Sequence, residues 1–469
     1  MLKSSAIYLF KADFMIKLSL DKLAKLVGRP FAAPNCEFQG ISIDTRTLLP
    51  DNLFIAIKGE QFDGHDFIAE AVKKGASAAL VERQLNTTLP QIQVPNTIDA
   101  LGTLSHYWRD RYDLPIIGVT GSNGKTTLKN MIASILRTAC GNPAQVLATE
   151  GNLNNNIGLP LNLLRLNAEH RYAVLEMGMN HFGEIAYLTR LAKPSIAVIT
   201  NAAEAHLEGV QTIAGVARAK GEIFQGLQEQ GIAILNSDDP HFAYWQSLIG
   251  THRYLSFGLK NPSDVTAVIK DNPSIELQTP NGELFVTLPL LGTHNVMNAL
   301  AATAATLALN IDLTAIKQGL EQVASAPGRM QSYFLANGAH IINDTYNANP
   351  FSLQAAVNTL SAFAGTKIMV LGDMKELGAD AEQLHYVAGE KMRNAGIDYL
   401  FTLGNLSALT TDAFGVPAKH FTDYKALAAA LQPYLLEQNV TVLVKGSRSM
   451  RMERIITEIM PDAHLESAH

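Results

Sequence analysis

Three glycines, a lysine and three threonines cluster in Ile116-Ile117-Gly118-Val119-Thr120-Gly121-Ser122-Asn123-Gly124-Lys125-Thr126-Thr127. An apolar strand runs into a glycine turn, and the turn opens a helix continued by Leu128, Met131, Ile132, Ile135 and Leu136. Glycines let successive N–H groups fold round an anion, and the positive end of the helix dipole reinforces them. In that frame Lys125 reaches β/γ-phosphate oxygens and the Thr126 hydroxyl suits Mg²⁺. Gly121, Ser122, Asn123, Gly124, Lys125, Thr126 and Thr127 are therefore candidates for holding a nucleoside triphosphate such as ATP. The string is not the usual G-x-x-x-x-G-K-[ST], because Val119 stands where the first glycine belongs. A glycine turn followed by a chance lysine is the plain alternative, and the order strand, turn, helix argues against it.

Further candidates follow the same logic. Glu176 ends the strand Tyr172-Ala173-Val174-Leu175-Glu176-Met177-Gly178. Carboxyl ends of parallel strands face the ligand crevice, which places this carboxylate as a metal ligand beside the phosphates rather than as a solvated or capping glutamate. The strand Ile196 to Thr200 delivers Asn201 and then His206, a candidate neutral imidazole ligand for a second divalent ion, although a lone histidine is more often structural. Lys220, between small residues in Ala217-Arg218-Ala219-Lys220-Gly221-Glu222, reads by itself as a solvated helix face. Asn295 and Asn298, three apart at a helix start, present amides able to read a base edge, and helix capping alone would explain one of them. The Arg329 guanidinium suits charge on a transferring phosphate, and the Asp344 carboxylate suits ribose hydroxyls, although in isolation both read equally as routine surface charges.

These residues need a scaffold, and 469 residues with 47% hydrophobic and 17% charged content provide for roughly three domains. The expected fold class is α/β: a small N-terminal α/β domain over 1–96, a central P-loop ATPase-like parallel-sheet domain over 97–326, and a C-terminal Rossmann-like domain over 327–469. Apolar strands are expected at Leu53 to Ile57, Ala79 to Val81, Ala173 to Met177, Ala197 to Thr200, Ile232 to Asn236, Ile341 to Asn343, Lys367 to Leu371, Tyr399 to Leu403 and Val440 to Val444. Their alternation with helical stretches, among them Ile68 to Lys74 and Leu101 to Arg111, is the pattern of parallel sheets covered on both faces. Residues 1–14 read as a loosely attached extension, with patterned sequence from Met15.

A net charge of −6 offers no basic stripe for nucleic acid. Cys36 and Cys140 lack C-x-x-C spacing and fit reduced thiols. No apolar run approaches the roughly 20 residues of a membrane span, and Ala6 to Phe10 is too short for a signal segment. A cytoplasmic monomer without stable membrane insertion is expected.

From about Met15 to its end the chain resembles the Mur ligases, ATP-dependent amide-forming enzymes of peptidoglycan precursor synthesis. The phosphate loop, Glu176 and Gly292-Thr293-His294-Asn295-Val296-Met297-Asn298 carry the family likeness. Three strings are similar to the dipeptide-adding member: Thr149 to Gly158, which contains Asn156, Asp344 to Ser352, and Leu371 to Gly378. The chain lacks the histidine-threonine-proline string and the D-N-P-R-type motif of the tripeptide-forming relative. The resemblance implies addition of D-alanyl-D-alanine to UDP-N-acetylmuramoyl-tripeptide through an acyl phosphate, with the C-terminal domain closing on the central one. It assigns Lys125 and Thr126 to ATP phosphates and Mg²⁺, and Glu176 to the same ion. His206 and a carbamylated Lys220 would serve a second Mg²⁺. Asn295 is assigned to adenine, Arg329 to the γ-phosphate and Asp344 to the ribose. Ser42, Asp44, Thr45, Arg46, Asp63, Gly64 and His65 would hold the uridine nucleotide, while Asn156, Asn347, Asn349 and Ser352 would lie with the peptide substrates. A folylpolyglutamate-type ligase and a non-catalytic nucleotide-gated binding protein are the competing readings. The Ser42-Ile43-Asp44-Thr45-Arg46 string speaks against folate.

Overall fold

The computed structural model describes residues 16–30, 36–204, 207–270 and 274–460. The expected 1–14 extension, Met15 and His206 lie outside the described residues. Strands β1 (Lys17–Ser19) and β2 (Glu37–Gln39) pair antiparallel at the start of the described chain. A four-stranded sheet follows, in the order β3 (Ile41–Ser42), β4 (Leu53–Ile55), β5 (Ala78–Val81) and β6 (Gln91–Gln93), all parallel. Because they run the same way, the segments after β3, β4 and β5 emerge at one carboxyl edge.

Six parallel strands form the second sheet: β7 (Ile116–Thr120), β8 (Val146–Ala148), β9 (Tyr172–Glu176), β10 (Ile196–Ile199), β11 (Ile232–Asn236) and β12 (Arg253–Phe257). Their order is β12-β11-β10-β7-β9-β8, which sets β7 between β9 and β10 and brings the phosphate loop, Glu176 and Asn201 to one edge. All five residues of β7 are buried, as expected for a parallel strand covered on both faces. The chain then departs from the expected alternation. Strands β13 (Thr266–Ile269), β14 (Ser274–Thr279) and β15 (Gly282–Thr287) make an antiparallel meander beside the helical layer.

The third sheet contains β16 (Gln331–Phe334), β17 (His340–Asp344), β18 (Thr366–Gly372), β19 (Tyr399–Leu403), β20 (Ala418–Phe421) and β21 (Val440–Lys445), ordered β16-β17-β21-β18-β19-β20. It is parallel except for the antiparallel edge strand β16. The α/β class and the expected strands are borne out with small shifts at their ends. Helix Thr97–Arg109 begins four residues earlier than the apolar pattern suggests, because the Asn96 side chain caps it by accepting from the Ile98 and Asp99 amides.

One apolar cluster runs from Ile16, Leu20 and Phe38 through Leu101 and Trp108 to Leu159 and Ile185, so the first sheet and the central one share a core. The helix after the phosphate loop, Lys125–Cys140, is clamped on its other face by helix Leu313–Glu321. Gly319 makes this approach possible: a Cβ there would stand 2.3 Å from the Ile135 Cα, and its carbonyl accepts from the Ser134 hydroxyl at 2.7 Å. Gly319→Ala is expected to lose about 1–3 kcal/mol by overpacking two helix backbones. Chemical denaturation reads this directly, and unchanged stability would mean the helices slide apart freely.

Candidate active site

The phosphate loop is rigid because neighbouring strands brace it. Ser122 donates its backbone N–H to the Asn201 carbonyl, and its hydroxyl exchanges bonds with Ala203 O (3.1 Å) and Ala203 N (3.0 Å). The Asn123 N–H donates to Asn201 Oδ1 at 3.1 Å, and Thr200 Oγ1 donates to the Asn123 carbonyl at 2.6 Å. Both loop glycines are forced. Gly121 (φ 150°) would put a Cβ 1.7 Å from Thr200 Oγ1, and Gly124 (φ 84°) would put one 2.4 Å from Asn298 Oδ1.

Lys125 folds back on this loop and donates to the Gly121 carbonyl at 2.7 Å. Thr126 Oγ1 donates to Glu176 Oε2 at 2.8 Å, and Asn154 Nδ2 donates to Glu176 Oε1 at 2.8 Å. The Glu176 N–H is held in turn by Thr149 Oγ1 at 2.9 Å, leaving a buried and immobilised carboxylate. Arg329 arrives from the third sheet's side, donating to Thr126 Oγ1 at 3.1 Å with its guanidinium 4.0 Å from the Tyr346 ring centre. Burial pushes the Lys125 ammonium below the usual lysine range, the Glu176 carboxylate opposes this, and Arg329 adds to the lowering.

Lys220 corrects the expectation of a solvated helix face. It is 1% exposed in helix Ile213–Gly221, and burial first, then the nearby Lys125 charge, push its ammonium well below the ordinary value. A lone lysine on a short helix gives no sign of this, because burial is a tertiary property.

A cleft of about 910 Å³ opens over the loop between the central and C-terminal sheets. Its walls include Lys125, Glu176, Asn156, Asn295, Arg329, Asp344, Asn347, Asn349 and Ser352. Some of these side chains are already engaged. Asn295 Nδ2 donates to Leu291 O at 2.7 Å, and Asn295 Oδ1 accepts from Asn298 at 3.2 Å. The pair braces the helix start and packs against Gly124 rather than presenting both amides freely. Asp344 accepts from the buried Lys445 ammonium at 2.5 Å, and Lys445 also donates to Asn347 O at 2.8 Å. Asn349 and Ser352 form a capping box on helix Pro350–Ser361, and Asn349 Nδ2 reaches across to Asn123 Oδ1 at 3.0 Å. Asn347 remains the exposed member of the group. Asp373, in one of the dipeptide-type strings, is a buried cap that accepts from the Leu406 and Ser407 amides at 3.0 and 2.8 Å.

Ser42, Asp44, Thr45, Arg46, Asp63, Gly64 and His65 gather apart from this cleft, at the carboxyl edge of the first sheet. Arg46 grips Asp44, with Nη2 donating to Oδ2 at 2.6 Å. Both ring nitrogens of the buried His65 are occupied, Nδ1 by Asp63 at 2.6 Å and Nε2 by the Glu82 N–H at 2.8 Å. That pattern engages both sides of the ring and makes His65 a brace rather than a free ligand. Burial alone would raise the Asp63 carboxyl, but the His65 amide and Arg83 outweigh it and hold it well below the carboxylate range. Gly64 is required because a Cβ would meet Ile57 N at 2.7 Å. Arg83, after β5, donates to Asp63 at 2.9 Å and belongs to this edge although nothing in the local sequence distinguishes it.

A rigid anion loop, a buried carboxylate and an arginine from a separate sheet, all on one cleft, define a nucleotide-dependent phosphoryl-handling site. Comparison with known proteins agrees. Models of the Mur ligase family match in three stretches: its catalytic domain at 37–109, its middle domain at 119–306 and its glutamate ligase domain at 328–448. The chain belongs to the Mur ligase family. It is 44% identical over 448 residues to the UDP-N-acetylmuramoyl-tripeptide--D-alanyl-D-alanine ligase of Escherichia coli (strain K12), covering 94% of this chain and 98% of that one. A crystal structure of MurF from Acinetobacter baumannii superposes with a TM-score of 0.90 at 36% identity, over 96% of this chain and 100% of that one. MurF ligase from Thermotoga maritima, solved in complex with ADP, matches with a TM-score of 0.80 at 28% identity, over 90% and 97%.

The double use of Asn349 yields a separable test. Asn349→Ala removes both the helix cap and the bond to Asn123, and is expected to cost about 1 kcal/mol, within a range of roughly 0.5–2. Asn349→Asp keeps the cap acceptor and loses only the donor to Asn123, so thermal unfolding should place it between wild type and Asn349→Ala. Equal losses in both variants would show that the cap is not what stabilises this helix.

Proposed function

We propose that the protein is the ATP-dependent ligase that joins D-alanyl-D-alanine to UDP-N-acetylmuramoyl-tripeptide, giving the UDP-linked pentapeptide, ADP and phosphate. The observation that carries this reading is the pairing of Arg329 with Thr126 across the cleft, in a chain that matches a D-alanyl-D-alanine ligase along nearly its whole length. The three domains are taken to run over 1–96, 97–326 and 327–469; the separate sheets support the division and the gap between family models at 306 and 328 supports the second boundary, while the first model runs on to 109. The first would hold the uridine nucleotide through the carboxyl edge that carries Ser42, Asp44, Thr45 and Arg46. Asp63, with His65 and Gly64 fixing its loop, completes that edge. The third would bind the dipeptide beside Asn347, with Asn156 facing it across the cleft.

A carboxylate is a poor electrophile, so the tripeptide's terminal carboxylate first attacks the γ-phosphorus of ATP, ADP departs and an acyl phosphate forms. The amine of D-alanyl-D-alanine then adds to that carbonyl, and the C–O bond to phosphate breaks as the amide forms. The loop N–H groups and Lys125 hold the β/γ oxygens, and Arg329 faces the charge that spreads over the transferring group. Asn295 and Asp344 border the space for adenosine. Excluding water protects the acyl phosphate, and the C-terminal sheet supplies the covering wall.

The residues present suit Mg²⁺. Thr126 and Glu176 are adjacent hard oxygen donors, and among the described residues no cluster of three or more His, Cys, Asp or Glu forms an all-protein cage. Magnesium characteristically takes few protein ligands and completes its shell with phosphate and water, and when bound it would neutralise phosphate charge. Lys220 is the candidate for a second ligand as a carbamate, formed when its neutral amine adds CO₂ and releases a proton. Its burial beside Lys125 supports this by favouring the uncharged amine. His206 would join it. A cytoplasmic monomer completes the reading: no helix among the described residues is long and apolar enough to cross a membrane.

The deciding experiment is phosphate release with purified UDP-tripeptides carrying lysine or diaminopimelate. Release should require D-alanyl-D-alanine stoichiometrically, and release that is independent of the amine would overturn the ligase reading. Lys125→Ala should stay folded and lose turnover. Lys220→Ala should lose about 100-fold or more in kcat, in line with several kcal/mol of phosphate-charge stabilisation. Acetate, entering the vacated space as a carboxylate, should restore part of the rate. Full activity of Lys220→Ala would remove the carbamate from the mechanism.

A further inference from the structure

Lys129 lies one helical turn beyond Lys125, so both lysines share the face of helix Lys125–Cys140 that looks toward β9. It is 6% exposed, and its ammonium donates to the Thr149 carbonyl at 2.8 Å. Thr149 begins the loop that crosses the carboxyl end of β9. Its amide donates to Val174 O at 3.0 Å, and its Oγ1 takes the Glu176 N–H at 2.9 Å. Five residues on, Asn154 closes the same loop over the strand end: its carbonyl accepts from the Gly178 N–H at 2.8 Å while its Nδ2 holds Glu176 Oε1. Asn152, Asn154, Asn155 and Asn156 then line the cleft.

A buried ammonium is costly, and a carbonyl acceptor alone is weak compensation for it. Glu176 is the larger of two opposing charges that favour it, ahead of Glu150, and works against the lowering that burial imposes on Lys129. Thr126 fixes one oxygen of that carboxylate from the phosphate loop, and the loop anchored by Lys129 fixes the other.

We propose that Lys129 is a positioning residue that ties the 149–156 loop to the phosphate-loop helix and thereby sets the Glu176 carboxylate for its role at the nucleotide's metal. The proposal rests on the reading of Glu176 as a magnesium ligand. It predicts an effect on the coupling between metal and nucleotide, whereas a purely structural lysine would alter stability alone. Outer residues that orient a ligand typically change metal affinity by about 10–100-fold when removed.

The test is calorimetric binding of ADP by the full-length protein with and without Mg²⁺, for wild type and Lys129→Met. The wild-type protein should bind ADP more tightly with Mg²⁺. Lys129→Met should lose about tenfold or more of that gain while binding metal-free ADP within about twofold of wild type. An unchanged gain in Lys129→Met overturns the proposal, and so does an equal loss with and without metal, which would mark a general defect of the loop. Should Lys129→Met not fold, Asn154→Ala and Thr149→Val release Glu176 from the same loop and must show the same selective loss. Absence of any magnesium-dependent gain in the wild-type protein would instead remove Glu176 as a metal ligand, and the proposal with it. Because ADP binding needs neither peptide substrate, failure here is separate from failure of the ligation assay.

Discussion

One buried carboxylate faces a surplus of positive charge, and the rest of the site follows from that imbalance. Glu176 answers Lys125 and Lys129 on one helix, while Arg329 reaches in from another sheet and Lys220 lies buried close to Lys125. Burial lowers all three lysines, so the arrangement pays in desolvation for cations that Glu176 alone does not fully neutralise. A polyanion restores the balance. A triphosphate supplies several negative oxygens at the point where the loop N–H groups converge, and the low local dielectric strengthens each contact. The same field makes a single carboxylate sufficient, since more acid would compete with the phosphates for the cations.

Holding that charge pattern requires a backbone that cannot relax, and the parallel sheet provides it. The phosphate loop leaves β7 between β9 and β10, so Glu176 comes from one neighbour and the Thr200 and Asn201 braces from the other. The glycines are part of the same constraint, because Thr200 and Asn298 occupy the volume that side chains at 121 and 124 would need. Asn295 and Asn298 illustrate how this constraint shapes recognition. Their amides are spent largely on each other and on Leu291, so they fix the wall against which a base must fit.

Strands covered on both faces were readable because each is a continuous apolar run, and β7, β9, β11 and β19 fall close to their expected places. The meander β13 to β15 was missed, although a signal was present: Ile275 and Leu277 alternate with Ser274, Glu276 and Gln278 ahead of the Pro280-Asn281-Gly282 turn. Placement was legible where a motif fixes its own geometry, which brings Lys125 and Glu176 to one cleft. It was illegible where tertiary contact decides. Lys129 and Lys220 have the sequence surroundings of solvated helix lysines, and only the packing of other elements over them shows otherwise. Lys445 was within reach of the strand-end argument that found Glu176, since it terminates β21 on the cleft side. Asn349 and Ser352 line the cleft, and packing gives them a second task that the string does not show. Their motif marked a binding loop, while their side chains serve a helix cap and a bond to the phosphate loop.

That bond bears on how a ligase can be both open to large substrates and closed to water. Only a few polar contacts carry the third sheet onto the phosphate loop, chief among them Arg329 to Thr126 and Asn349 to Asn123. Each such bond contributes about 1 kcal/mol net, so the two together bias the cleft toward closure without locking it. Both end on residues that also touch the nucleotide's expected position, Thr126 through its hydroxyl and Asn123 through the loop. Phosphates bound there draw in the Arg329 guanidinium by charge, and with it the wall that carries Asn347 and Lys445. With the dipeptide placed beside Asn347, as proposed, the event that loads the donor side would also complete the acceptor side. A weak contact between the two sheets that bound triphosphate strengthens would favour assembly of the proposed amine site after ATP binds and release of both once phosphate and ADP leave.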